Sequence, residues 1–433
     1  MLTKEQNELL TRTGPGTPGG ALLRRYWQPV ALAEELPPDG PPLPVRVLGE
    51  DLVLFRDEYG RLGLLGLHCS HRGADLSYGR IEHGGLRCLY HGWLFDVQGR
   101  CLEQPGEPAG STFKERIRHP AYPCREIGGL ILAYLGPGEP PEVPAYEFLQ
   151  VPAEQRWATK LWQACNYLQG NEGNIDPQHL SFLHRQFDET SWQQGRLSRT
   201  VAGSDASSMA LYQRDVAPTI EVEETDYGLR IYSVRRISAS EHYVRISNFI
   251  LPNLSAFPGR TEADGYQVHW HVPVDDTHHW KYILAFRRSG PIEREILQQE
   301  MAAEVTADYR PIRTAANRYL QDREEMRSRT FSGMGPNFQL HDTFATESQG
   351  PIQDRTKEHL GATDLAIAMA RQQLLRAIRD VQEGRDPPHV IRHAAANRFD
   401  HLVVRAEVVP QTVDWRTYWR APAIQEQLAD TPR

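Results

Sequence analysis

The chain is short of cysteine, of excess positive charge and of long apolar runs, and each shortage removes a class of protein. Five cysteines in 433 residues, an odd number without framework spacing, exclude a disulfide-stapled secreted fold and leave metal binding or buried thiols as their uses. Lysine and arginine number 48 against 56 acidic residues, a formal charge of −8. No basic block of the kind that grips phosphate backbones stands out, so nucleic acid is not an expected partner. The best apolar runs, such as Gly128 to Leu135, fall far short of the roughly 20 residues that span a bilayer, and no membrane partner is expected. The opening MLTKEQNELL is charged early and lacks an apolar signal core, which predicts a cytoplasmic protein. What remains, 40% hydrophobic and 24% charged, is an ordinary globular composition long enough for about two or three domains.

Residues 4–12 and 19–26 read as short helices broken by Gly14-Pro15-Gly16-Thr17-Pro18, and Val45 to Phe55 and Leu62 to Leu67 read as strands. Short strands and glycines continue to about Leu135, and the proline-rich stretch from Gly136 to Pro144 suits neither regular element. We therefore divide the chain into an N-terminal helical segment (1–26), a strand-rich domain (27–138), a linker (139–148) and a larger domain (149–433). In the larger domain Cys165 to Phe187 reads mainly as helix, and strand-like segments recur from about Ala210 to Phe286. There Tyr266, Val268, Trp270 and Val272 share one face of a strand, with Gln267, His269 and His271 on the other. Helical composition returns over Pro291 to Arg327 and Ala362 to Glu383, the latter expected to pack on the surface.

The most specific signal is Cys69-Ser70-His71 with Cys88-Leu89-Tyr90-His91: two thiolates and two imidazoles in two short loops. Two thiolates can hold one iron of a [2Fe-2S] cluster while two neutral imidazoles hold the other, which raises the cluster's potential. Cys2His2 is also a structural zinc set, but zinc fingers keep both thiolates in one knuckle, whereas here each loop supplies one of each type. Gly73 and Gly92 follow the ligands and suit tight turns that carry backbone N–H groups toward sulfur. Cys101, Cys124 and Cys165 lie outside these loops and read as buried thiols, His68 and His83 as ordinary polar residues.

In CSHRGADL and CLYHGWLFD this region, residues 27–135, resembles the Rieske domain of ring-hydroxylating oxygenases. Respiratory and photosynthetic Rieske subunits carry a further pair of cysteines in these loops, where this chain has Ala74 and Tyr90. That difference disfavours the electron-transport subunit.

A second constellation lies in Asp176-Pro177-Gln178-His179-Leu180-Ser181-Phe182-Leu183-His184. Asp176 and His179, three apart, share a helix face. His179 and His184, five apart, would point ~140° apart on a regular helix, so a helix end or π-bulge is required before both can reach one metal. A Rieske cluster passes single electrons and does no oxygen chemistry, so a long second domain with two histidines suggests a non-haem Fe(II) partner with open positions for O2. The family resemblance extends here: Asp-x2-His-x4-His implies His179 and His184 as iron ligands. It also implies that Asp176, the expected catalytic residue, links His179 to His91 of a neighbouring chain. The third ligand must be a distant carboxylate, and Asp342, Glu347 and Asp354 are candidates. Asp342, five before Glu347, fits the family's spacing, with Glu347 supporting it from behind and His341 pointing away.

Through the segment LTRTGPGTPGG, the Glu172-Gly173 pair, Pro273-Val274-Asp275-Asp276-Thr277-His278 and Glu347-Ser348-Gln349-Gly350-Pro351-Ile352, the whole chain resembles the phthalate 4,5-dioxygenase type of oxygenase component, a branch that also holds biaryl O-demethylases. The resemblance implies an α+β fold: an all-β Rieske domain followed by a helix-grip domain, a curved antiparallel sheet around a long helix. It implies a [2Fe-2S] cluster, a mononuclear Fe(II), and a homotrimer or stacked trimers arranged head to tail. The implied activity uses O2 and electrons from a separate NAD(P)H-dependent reductase or ferredoxin to hydroxylate or O-demethylate an aromatic, carboxylated compound. No NAD or flavin is expected in this chain, because the Gly14–Gly19 G-x-G-x-x-G holds two prolines and follows a helix. Arg230, Arg235 and Arg245 read as exposed strand residues, and His269 and His271 as an ordinary strand face. Two other readings stay open: an electron carrier or ligand sensor without catalytic iron, and a zinc-stabilised binding protein.

Overall fold

Thr3 opens the first helix, Lys4–Thr11. Its hydroxyl accepts from the Gln6 N–H while the Gln6 side-chain oxygen accepts from the Thr3 N–H, which satisfies two donors the helix leaves free. The second helix, Pro18–Leu23, places proline where no amide hydrogen is needed. It stops short of the expected residue 26, because the chain turns there into the strand Gln28–Leu32. The structure is a computed structural model that describes residues 1–187, 201–204, 207–259 and 264–420. The expected end of the larger domain at residue 433 lies outside the described residues.

The strand-rich part holds three small antiparallel sheets. Gln28–Leu32 pairs with Leu130–Ala133, which pairs in turn with Cys124–Ile127. The expected strand Val45 to Phe55 is instead a hairpin, Leu43–Val47 against Glu50–Arg56, because Leu48 and Gly49 take left-handed φ of 51° and 77°. That turn is docked, with the Leu48 and Gly49 N–H groups donating to Pro273 and Val274 carbonyls at 2.8 and 2.9 Å. Leu62–Gly66 and Ala121–Tyr122 complete its sheet, and four three-residue strands between Arg80 and Glu103 form the third. Val53, Phe55, Leu65, Leu86 and Phe95 bury themselves between these last two sheets together with Cys69 and Cys88. The stretch 136–144 forms neither helix nor strand, yet it is tied down: Trp27 Nε1–H donates to the Pro141 carbonyl at 2.9 Å.

The larger sheet is antiparallel, in the order Arg156–Gln163, His279–Phe286, Gln267–Pro273, Leu254–Phe257, Glu241–Ile250, Gly228–Arg236, Thr219–Glu224, with Arg405–Pro410 also paired to Glu241–Ile250. As expected, Tyr266, Val268, Trp270 and Val272 enter the main core together. The helix Leu365–Gln382 packs on the surface of the sheet as expected, with one face in this core and Gln372, Arg376 and Arg379 exposed on the other. Its Ala366, Ile367, Ala370, Leu374, Ala377 and Ile378 are buried, and the three alanines let the backbone approach its neighbours closely. Pro291 to Arg327 is helical mainly over Arg294–Ala302. Beyond it, left-handed φ values at Tyr309, Arg318, Tyr319 and Leu320 break any regular helix. Among the described residues no helix is long and apolar enough to cross a membrane.

The expected helix from Cys165 to Phe187 ends early, at Tyr167–Ile175. Pro177 forbids the α conformation at Asp176, which is extended at φ −91° and ψ 106°. Gly170 is required in this helix because a Cβ there would lie 2.5 Å from His271 Nδ1 and 2.7 Å from His279 Nε2 on the sheet below.

Candidate active site

The two cysteine loops are copies of one turn. Gly73 and Gly92 donate to the Cys69 and Cys88 carbonyls at 2.8 and 3.0 Å, and the cysteine N–H groups donate to Ala74 and Trp93 carbonyls at 2.8 Å. Gly73 at φ +73° and Gly92 at φ +74° allow these turns, and backbone N–H groups of His71 and Arg72 point at Cys69 Sγ. The thiols are buried and unbonded to each other, while the His71 and His91 rings are exposed with centroids 4.4 Å apart. Burial, with Cys88 alongside, pushes the Cys69 thiol up to about 11, so Cys69 needs a cation before it ionises. This donor set fits an iron–sulfur cluster. His119, unremarked in the sequence, braces the loop. Its Nε2–H donates to the Gly66 carbonyl at 2.7 Å, which leaves Nδ1 to accept from Ser70 Oγ at 2.7 Å. Trp93 stacks flat on His71, centroids 4.5 Å apart.

Beyond the helix break, Asp176 Oδ1 accepts from the Gln178 N–H at 2.8 Å, and Asp176 Oδ2 lies 3.6 Å from His179 Nδ1. His179 sits in a single 3-10 turn, His179–Ser181, and His184 follows it. This irregular backbone brings their rings to 5.1 Å although they are five residues apart. Asp342 arrives on the distant helix Phe338–Glu347, its Oδ1 3.0 Å from His184 Nε2 and 3.8 Å from His179 Nε2. The candidate ligand atoms of these three residues all lie within 4.8 Å of one another.

Hydrogen bonding decides what this triad can hold. His341 Nε2–H donates to the Gly335 carbonyl at 2.8 Å, so its neutral ring accepts at Nδ1, and the partner 3.1 Å away is His184 Nδ1. The His184 proton is therefore on Nδ1, and its Nε2 lone pair faces a carboxylate. Burial lowers the His184 pKa and outweighs the pull of Asp342, so a second proton is not the remedy. A bound cation is, and two imidazoles with one carboxylate are the donor set of non-haem Fe(II). His341 lies outside the triad as expected, and it braces His184 from the Nδ1 side.

Two family models match the chain: the Rieske [2Fe-2S] domain over residues 26–121, and the domain described as LigXa C-terminal domain like over 133–431. The phthalate 4,5-dioxygenase oxygenase subunit of Pseudomonas putida is 36% identical, over 96% of this chain and 95% of its own length. The 5,5'-dehydrodivanillate O-demethylase oxygenase subunit of a Sphingobium species is 35% identical, over 92% and 85%. The terminal oxygenase of carbazole 1,9a-dioxygenase from Novosphingobium sp. KA1 shares the fold, with a TM-score of 0.57 at 19% identity over 90% of this chain and 97% of that one.

The chain belongs to the Rieske non-haem iron oxygenases.

It is an oxygenase subunit of that family, whose cofactors are a Rieske [2Fe-2S] cluster and a mononuclear iron, and the readings as electron carrier or zinc protein fall away. In this Rieske oxygenase a cavity of about 100 Å³ opens beside the triad, lined by Asp176, His179 and Asp342 on one side and by Gln163, His271 and Lys281 of the sheet on the other. His269 and His271 are buried in that wall and hydrogen-bonded to Asn174. They are part of the site's frame, outside the group of three.

The three strand arginines are buried, against expectation, because backbone and side-chain acceptors converge on them. Arg230 donates to Glu223 and the His401 carbonyl at 2.8 and 2.6 Å. Arg245 reaches the Pro258 carbonyl at 3.4 Å and lies over Phe257. Arg235, wholly buried, donates to the Pro177 carbonyl at 2.8 Å and the Asp215 carbonyl at 3.1 Å, pinning the loop that carries Asp176 and His179.

Glu347 does not support the triad. Its two oxygens accept from the Ala164 N–H at 2.8 Å and the Tyr319 hydroxyl at 2.9 Å. Asp354 is taken by Thr356 and Lys357.

Proposed function

We propose that this chain is a cytoplasmic terminal oxygenase acting on an aromatic compound, by ring hydroxylation or O-demethylation, with electrons from a separate ferredoxin or NAD(P)H-dependent reductase. The assigned roles are Cys69, Cys88, His71 and His91 as cluster ligands and His179, His184 and Asp342 as iron ligands. When bound, the cluster supplies single electrons and the iron supplies O2 activation. The protein's own part is orientation and proton placement. His341 keeps the proton of His184 on Nδ1, and Asp176 holds His179 from its Nδ1 side. Burial acts to lower the His179 pKa, but Asp176 and Asp342 outweigh it and hold it above the ordinary value, so the site is built around positive charge. The cavity beside the triad supports an aromatic substrate, since a concave site next to the metal residues could receive a ring.

Two of the relatives, named above as a phthalate dioxygenase and a dehydrodivanillate O-demethylase, support the choice of an aromatic substrate. Solved complexes named as oxygenase and ferredoxin of carbazole 1,9a-dioxygenase support a ferredoxin-like donor. The single observation that carries the reading is the His184 lone pair aimed at Asp342 beside His179.

Iron, zinc and acid-labile sulfide measured on anaerobically purified protein test it, with ~3 iron and ~2 sulfide per chain expected. About two iron with two sulfide after Fe(II) has been offered back removes the catalytic iron from the reading. Zinc without sulfide removes both sites.

A further inference from the structure

Buried lysines are normally paired, since an unpaired ammonium out of water is costly. Lys160 obeys the rule, reaching Glu35 at 2.7 Å and lying 4.3 Å from the centre of the Trp280 ring. Lys281 does not. It sits in the strand His279–Phe286 between Leu161 and His271, is only 1% exposed, and has no hydrogen-bond or ion-pair partner among the described residues. It lines the same cavity as His179 and Asp342.

The neighbouring anions are already engaged. Asp342 faces His184, and Glu347 accepts from Ala164 and Tyr319. Both act on Lys281 only through their field, from beyond ion-pair distance. The buried arginines around the sheet and helices are engaged too, Arg235 on backbone carbonyls and Arg355 on Glu172. Lys281 is thus a set of ammonium donors with no acceptor among the described residues, beside the proposed metal centre.

We infer that Lys281 recognises a carboxylate carried by the substrate, seating it in the cavity so that the rest of the molecule lies beside the metal triad. The inference rests on the oxygenase reading above and adds to it the residue that selects charge. Burial draws the Lys281 pKa down against the opposing fields of Asp342, Cys165 and Glu347, and an arriving carboxylate favours its charged form. A neutral substrate of the same shape would leave the ammonium unpaired, which is the basis of discrimination.

Isothermal titration of the anaerobic, metal-loaded protein with benzoate and with benzamide, its neutral isostere, tests this. The wild type is expected to bind benzoate at least about tenfold more tightly than benzamide, and K281M to lose that preference while keeping its iron and sulfide. The inference is overturned by a wild type that binds benzoate no better than benzamide or not at all. It is equally overturned by metal-loaded K281M that keeps the preference. Should K281M fail to fold, K281Q is read in the same way, and the wild-type ratio stands alone as a test. Iron and sulfide contents of the same samples report on the oxygenase reading separately, since a missing third iron fails that reading whatever benzoate does.

Discussion

His341 shows how one side chain outside the ligand set can decide a site. With Nε2–H committed to the Gly335 carbonyl, it can only accept at Nδ1, and that forces the His184 lone pair toward Asp342. Phenylalanine at this position preserves the ring but not the acceptor. His341→Phe is expected to lower Fe(II) affinity by about 10- to 100-fold with acid-labile sulfide unchanged, read by equilibrium dialysis against a chelator. Unchanged iron retention would show that His341 does not orient its neighbour. In the sequence His341 is legible only as the residue before Asp342. Adjacent helix positions point about 100° apart, so its facing away from the metal follows, but its partner on another segment does not.

At the scale of elements, the helix Tyr167–Ile175 and the break after it make the proposed iron site. The spacing of His179 and His184 demands a helix end or a π-bulge, and Pro177 supplies the helix end, earlier than the mainly helical reading of Cys165 to Phe187 placed it. Arg235 then holds the released loop. The helix itself is anchored at the Glu172-Gly173 pair. Glu172 is buried and bonded to Arg355 at 2.8 Å and Arg371 at 2.6 Å, and Arg371 also pairs with Glu358. Burial acts to raise the Glu172 pKa, but the two guanidiniums outweigh it and hold it below the ordinary carboxylate value. Its folded pKa being depressed, Glu172 contributes stability above about pH 4.5 that is lost as the pH falls below it. Glu172→Gln leaves Arg355 without its counter-charge and is expected to destabilise by about 3–5 kcal/mol at pH 7. In urea unfolding the gap from wild type should narrow as the pH drops below about 4.5. A gap independent of pH would mean that packing, not charge, explains the loss.

At the scale of the molecule, the cluster loops end in exposed groups: His71, His91, and Leu89 and Tyr90 at 61% and 58% exposure. Near the proposed iron ligands Phe182 and Phe331 are also exposed, their rings 6.0 Å apart. Exposed apolar groups at both sites suit contact between chains, and the head-to-tail ring that the family resemblance implies would bring one chain's cluster to the next chain's Asp176 and His179. If so, Asp176→Ala and His91→Ala chains, each inactive alone, should recover roughly a quarter of wild-type turnover after random reassembly into rings, since one junction in four is intact. No recovery from mixed rings verified by mass would place electron transfer within a single chain.

Chemistry that depends on neighbours in the chain was legible from the sequence by itself. The two cysteine loops, their glycines and the spacing of Asp176, His179 and His184 are local patterns of the chain, and the α+β fold followed from the family resemblance those motifs carry. Asp342 was picked from three candidates by the family spacing, and only the tertiary structure set it beside His184; it alone decided the brace from His341, the burial of Arg235, and a Lys281 without a partner among the described residues. The reason is range. Backbone preferences act over a few residues, whereas burial and hydrogen-bond partners are set by strands and helices that only the folded sheet brings together.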